Sequence, residues 1–151
     1  MEIMKANMIG KRLMAFFTTL TAVSLLLTGS IRAQVVQPQP TPPGTWTLIG
    51  TTVANFSADH DTIIVRGPFD DFSKILFKVT EAALNLHHLV VTYDNGESHE
   101  IRVRQKIPKG DKSRVIDLPN GGIRSIRRID FWYDTRDSSG TRAEVTVYGK
   151  R

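Results

Sequence analysis

From Thr45 onward the chain is a run of short, β-branched, alternating segments divided by turn residues, and no stretch after residue 33 keeps a 3.6-residue apolar period. Turn signals roughly every 8–12 residues are the pattern of strands packed in a sandwich or barrel. The segments expected as strands are Thr45–Val53, Thr62–Arg66, Lys74–Thr80, Leu86–Tyr93, Glu97–Gln105, Arg114–Leu118, Ser125–Tyr133 and Arg142–Tyr148. The sharpest local signal is Tyr93-Asp94-Asn95-Gly96-Glu97. Asn-Gly supplies the positive φ of a tight hairpin turn, so Leu86–Tyr93 and Glu97–Gln105 are expected to pair antiparallel. Gly67-Pro68, Pro108-Lys109-Gly110, Asn120-Gly121-Gly122 and Ser138-Ser139-Gly140 punctuate the remainder, while Glu81-Ala82-Ala83-Leu84 is at most one helical turn. The expected fold class is all-β: a single antiparallel β-sandwich, immunoglobulin-like or jelly-roll-like, of about eight short strands.

Side chains alternate across a strand, which sorts the apolar residues into an inward set. That set is Ile75, Phe77, Val79, Leu89, Val91, Tyr93, Ile101, Val103, Ile116, Leu118, Ile129, Phe131, Tyr133, Ala143, Val145 and Val147. A domain of this size buries more than half of its unfolded surface, so the core suffices without cross-links. None are available: the sequence has no cysteine, which excludes disulfides, Cys-ligated zinc, iron–sulfur clusters and a thiol nucleophile.

The first 33 residues read as a secretory signal peptide. Lys5, Lys11 and Arg12 form a basic head, and Leu13 to Thr28 is uncharged. That run is shorter than the ~20 apolar residues that span a bilayer comfortably. Cleavage is expected between Ala33 and Gln34, or alternatively after Ser30. Leu27-Thr28-Gly29-Ser30 resembles a lipoprotein box with Ser in place of the acceptor Cys, so no lipid is attached there and no stable membrane span is expected in the mature chain. Residues 34–44, QVVQPQPTPPG, hold four of the seven prolines and no charge, and are expected as an extended linker before a domain at 45–151.

Removing the signal changes the charge argument. The whole chain carries a formal +5, but residues 34–151 carry 16 basic and 14 acidic groups, only +2. A nucleic-acid partner is therefore not expected. Within that stretch residues 34–97 are net −4 and residues 98–151 net +6, so one end or face is electropositive.

Several stretches resemble a family of small exported bacterial β-sandwich domains of unknown function. They are Gly44-Thr45-Trp46-Thr47-Leu48-Ile49-Gly50, Asp59-His60-Asp61-Thr62-Ile63 and Val91-Thr92-Tyr93-Asp94-Asn95-Gly96-Glu97. Further on they are Gly110 and Ser113–Leu118, Ile123–Ile129 and Ala143–Gly149. The resemblance covers about residues 44–149. It implies an exported sandwich with no established activity and carries over no functional residue.

Chemistry-bearing residues are sparse. Asp59 and Asp61 point the same way from an extended segment and, with Asp70 or Asp71, could offer oxygens to a metal; the plainer reading is a polar turn entering a strand. His87 and His88 face opposite sides of a regular strand and cannot chelate one ion together, and His99 could lie across the hairpin near one of them. Arg102, Arg104, Arg128, Arg142 and Trp132 fall on the parity opposite the core, as does Tyr148. Arg102, Arg104, Arg128 and Trp132 are the candidate ligand-binding residues: guanidinium forks grip anions and an indole stacks on a flat group. The plainer reading is a solvated face paired with Glu100, Asp130 and Glu144. Arg124, Arg127 and Arg128 could instead tie a loop to Asp117 or Asp130. No nucleophile elbow, zinc-protease helix or phosphate loop is present, and no cofactor is expected.

The sequence thus predicts an exported, periplasmic or extracellular, non-catalytic binding or accessory module of the bacterial envelope, contacting an anionic or glycan polymer or a protein partner. The alternatives are a small hydrolase built on Asp59, His60 and Asp61, and a structural or assembly subunit.

Overall fold

A computed structural model describes residues 33–55, 58–135 and 140–151. The expected signal, up to residue 32, and the Ser138-Ser139 turn lie outside them. Among the described residues the fold is all-β, without a helix. The strands are β1 (Ala33–Val36), β2 (Thr47–Val53), β3 (Asp59–Val65), β4 (Asp71–Phe72), β5 (Lys74–Thr80), β6 (Leu84–Tyr93), β7 (Ser98–Ile107), β8 (Ile116–Asp117), β9 (Arg124–Asp134) and β10 (Glu144–Lys150).

They form two sheets. The first has the order β1-β3-β9-β6-β7, with β4 also paired to β9; the second has the order β2-β10-β5-β8. Every pair is antiparallel except β1 with β3, which runs parallel from Ala33↔Thr62 to Val36↔Val65. That pair corrects two expectations at once. The ladder is not wholly antiparallel, and the start of the Pro-rich stretch is not a free linker. Val35 and Val36 have ladder amides to offer, and the Arg66 amide continues the pairing by donating to the Val36 carbonyl at 2.9 Å. The strand stops where Pro38 and Pro40 remove the donors. Beyond it Gln37 Nε2 donates to the Gly67 carbonyl, and the chain turns at Pro42–Thr45 into β2.

The hairpin from β6 to β7 forms as the Asn-Gly signal predicts, but with a different turn. The Gly96 amide donates to the Tyr93 carbonyl and only Gly96, at φ 86°, takes a positive φ; Asn95 does not. A three-residue loop closed by a left-handed glycine therefore replaces the two-residue turn. Arg124 locks it from β9, with its guanidinium 3.6 Å over the Tyr93 ring and Nη2 2.6 Å from Glu97 Oε2. Arg124 thus ties the hairpin, not Asp117, whose carboxylate takes Lys74.

One buried cluster draws on both sheets and holds nearly all of the inward set, with only Ile101 left half-buried. Its centre is the contact of Phe77 on β5 with Phe131 on β9, ring centroids 5.2 Å apart at 67°. Edge-to-face pairing of this kind adds to the area both rings bury. At one end the chain crosses between the sheets at Ser73, whose amide donates to the Lys150 carbonyl at 2.8 Å. There Phe72 lies flat on Gly149: a Cβ on Gly149 would sit 2.5 Å from Phe72 Cδ1. Gly149→Ala is therefore expected to lower stability by about 1–3 kcal/mol through overpacking. Thermal denaturation of the variant checks this, and an unchanged midpoint would refute the close approach.

Candidate functional site

Strand β9 lies between β3 and β6, and its alternation decides what reaches the outer face of the first sheet. Ile129, Phe131 and Tyr133 go inward, so Arg128, Asp130 and Trp132 go outward. The registers then build rows across the sheet. Trp132 is opposite His60 on β3 and His88 on β6, and His88 is opposite Arg102 on β7. The side chains follow the backbone: His60 stacks on one side of the indole at 5.3 Å and 13°, and His88 on the other at 4.4 Å and 10°. The result is a line of imidazole, indole, imidazole and guanidinium across four strands.

Of the expected binding residues, Arg102, Arg128 and Trp132 do share this face. Arg102 is 73% exposed with Glu100 only at 4.0 Å. Arg104 is exposed at φ 48°, beside the register shift that falls between Leu86 and His88. Arg128 is committed locally, its Nε 2.6 Å from Asp130 Oδ2, while Thr62 Oγ1 donates to the other oxygen of the same buried carboxylate. These ion pairs run along one strand, not across strands. Trp132 does not offer a free face, because both sides of its ring are covered; it presents an edge. Arg142 and Tyr148 do not belong to this surface. Tyr148 is on β10, and Arg142 shortly precedes it, in the second sheet.

The same register shift overturns the expectation that His87 and His88 diverge. It leaves His87 out of both ladders, and both histidines line one depression with Ala58, Asp59, His60, Trp132 and Tyr133. His87 Nε2 lies 2.7 Å from Asp134 Oδ2, and Asn85 Nδ2 donates to Oδ1 of the same carboxylate. His99 lies elsewhere, against the edge of Tyr93 at 5.7 Å and beside Glu97.

Asp59 and Asp61 share a parity, but they are not set up as a pair of ligands. Asp61 is buried and accepts from Tyr133 OH at 3.2 Å and Thr52 Oγ1 at 3.3 Å. Asp59 accepts from its neighbour's amide and from Asn55 Nδ2. Asp71 pairs with β9 at Ser125, whereas Asp61 pairs at Phe131. Six residues of strand put roughly 20 Å between them. Asp70 and Asp71 therefore cannot complete a site with Asp59 and Asp61. Among the described residues no three His, Asp or Glu side chains converge to hold a metal ion. His60 faces out onto the indole while Asp61 faces in, so the Asp59, His60, Asp61 run does not converge for hydrolysis either.

Sequence parity identifies Trp132 and Arg102 as outward. It does not identify the flanking histidines, because nothing local pairs β9 with β3 and β6. Expecting a histidine on each neighbouring strand would have required that strand order.

Burial raises the Asp61 carboxyl above its ordinary 3.8, against the opposing hydrogen bonds from Tyr133 and Thr52, and it also raises the Tyr133 phenol. The native state then holds the Asp61 proton more tightly than the unfolded chain does. That contribution favours folding below about pH 3.8 and is lost as pH rises through the higher native pKa. Asp61→Asn removes the burial cost of the charge and can still accept both hydrogen bonds. It is expected to raise the melting midpoint at neutral pH by a few degrees and to flatten its acid-side pH dependence. Melts from pH 3 to 8 test this; a lower midpoint at pH 7 would show that the carboxylate's charge is needed.

A family model described as a domain of unknown function, DUF2541, matches residues 19–149. No curated protein and no solved structure matches the chain. The match takes in all the strands but the final residue of β10, and with them the outer face described above: the chain belongs to the DUF2541 family of domains of unknown function.

Proposed function

We propose that this chain is an exported, non-catalytic binding or accessory module of the bacterial cell envelope, which contacts an anionic or glycan polymer through the outer face of its first sheet. The observation that carries the reading is the row His60–Trp132–His88–Arg102 on four adjacent strands. A sheet face is nearly flat along such a row, and a polymer laid on it meets ring edges with nitrogen donors followed by a guanidinium. Arg102 supplies the charge that attracts an anion, with Arg104 exposed two residues further along β7, since Arg128 is already engaged by Asp130. Trp132 positions the imidazoles and does not itself stack on a sugar.

Export is supported by the basic head at Lys5, Lys11 and Arg12 and the uncharged run from Leu13 to Thr28. A sandwich architecture is supported by the single buried cluster shared by the two sheets. A modest net charge over residues 34–151 favours an envelope polymer over nucleic acid.

The test is co-sedimentation of the full chain with peptidoglycan and with outer-membrane fractions at low and high salt. Pelleting is expected at low salt and is expected to fall as salt screens the arginines. The double variant Arg102→Ala/Arg104→Ala should bind about tenfold more weakly while melting like the parent. If the parent stays in the supernatant with every fraction, the polymer-binding reading is wrong.

A further inference from the structure

The outer face of the second sheet carries a basic depression with aromatic walls that the row above does not use. Leu76, 7% exposed, forms its floor; Trp46, Tyr148, Lys78 and Lys112 form its walls. Tyr148 stands opposite Leu76 in the β10–β5 register, and Trp46 immediately precedes β2. Lys78 projects from β5 on the side away from Phe77 and Val79.

Lys112 is brought directly opposite Lys78 by a short antiparallel bridge. The position is set by backbone. Around it the Gly110 amide donates to Val79 O at 2.8 Å, Val79 N to Asp111 O at 3.0 Å, and Ser113 N to Phe77 O at 2.7 Å. Ser113 Oγ also accepts from the Phe77 amide at 3.0 Å. Two ammonium-bearing side chains are therefore held as opposed neighbours, with Cα atoms about 5 Å apart. Like charges directly opposite destabilise a sheet. Among the described residues neither ammonium group has a carboxylate partner, although the Lys112 amide donates to Asp111 Oδ1 at 2.8 Å, whereas the Lys74 ammonium nearby is paired with Asp117. Lys150 adds a third cation, its Nζ 5.9 Å from the Trp46 ring centroid.

An anion seated between Lys78 and Lys112 would turn this repulsion into attraction. The flat rings and Leu76 offer apolar area that a bare anion cannot use. We propose that this depression binds one acidic pyranose residue of a glycan, its carboxylate between Lys78 and Lys112 and its C–H face against Tyr148 or Trp46. Lysine suits the task because a compact ammonium serves a single carboxylate as a point charge without demanding a bidentate fork. The site is on the second sheet and does not rest on the Arg102 and Arg104 surface.

Calorimetric titration of the full chain with trigalacturonate, maltotriose and inorganic phosphate tests it. Trigalacturonate is expected to bind about tenfold or more tightly than either of the others. Lys78→Ala and Lys112→Ala should each weaken it about tenfold, and Arg66→Ala, exposed just beyond β3 and in neither proposed site, should leave it unchanged. Lys112→Glu should abolish binding while raising the melting midpoint, since it replaces a repulsive pair by an attractive one. Phosphate binding as tightly as trigalacturonate would reduce the site to bare anion capture and overturn the proposal. So would undetectable trigalacturonate binding, or binding that survives both lysine changes. Loss with Arg102→Ala alone would move the glycan to the first sheet, overturning this site while leaving the polymer-binding reading intact.

Discussion

The placement of β9 is the constraint on which the rest depends. It is the longest strand described, and it is hydrogen-bonded to β3 and β6, with β4 paired near its start. Its inward residues Ile129, Phe131 and Tyr133 fill the centre of the core, and Phe131 meets Phe77 of the other sheet. Because the side-chain period is two, fixing those residues inside fixes Arg128, Asp130 and Trp132 outside. A slip of one residue would drive Arg128 into the core and turn Ile129, Phe131 and Tyr133 outward. The outer face is therefore as strongly specified as the core, without needing any stabilising contact of its own.

Where a segment's fold follows from its own residues, the sequence reveals it. Lys74–Thr80 is a strand at the expected bounds, and the Asn95-Gly96 signal marks the hairpin. The inward set is legible for the same reason, since alternation is a local property. What depends on a distant partner is not legible. Ala33–Val36 lies between an uncharged N-terminal run and the prolines, and only β3 makes it a strand. The two residues of β4 have no periodicity and exist by pairing with Ser125 and Arg124. A regular strand predicts that His87 and His88 diverge, and the register shift at that point has no sequence mark.

The candidate surfaces divide along the same line. Arg102, Arg128 and Trp132 were recognisable as outward, and they do share a face. Tyr148 was equally outward but belongs to the other sheet, where it stands with Trp46 and the lysines. Parity tells inside from outside; strand order tells which outside. That distinction splits one imagined basic aromatic face into two real ones of different chemistry. One is rich in arginine and imidazole and runs across four strands. The other is a lysine-walled hollow fixed by a single bridge.

The first of these faces is held rigid from beneath. Asn55 and Thr52 from the second sheet's edge meet Asp61 and Tyr133 through a set of hydrogen bonds: the Asn55 amide donates to Tyr133 OH at 3.0 Å, and the phenol and Thr52 donate to Asp61. Thr135 Oγ1 donates in turn to the Asn55 carbonyl at 2.8 Å. Asp61 immediately follows His60, and Tyr133 immediately follows Trp132. Tying down the inward pair therefore sets the backbone under the outward pair, and the imidazole–indole stack inherits its spacing from the buried polar cluster. Binding surfaces keep their geometry when a second layer of contacts supports them. Here that layer is a carboxylate kept inside the protein despite the burial that raises its pKa, because its hydrogen bonds join the two sheets beneath the row.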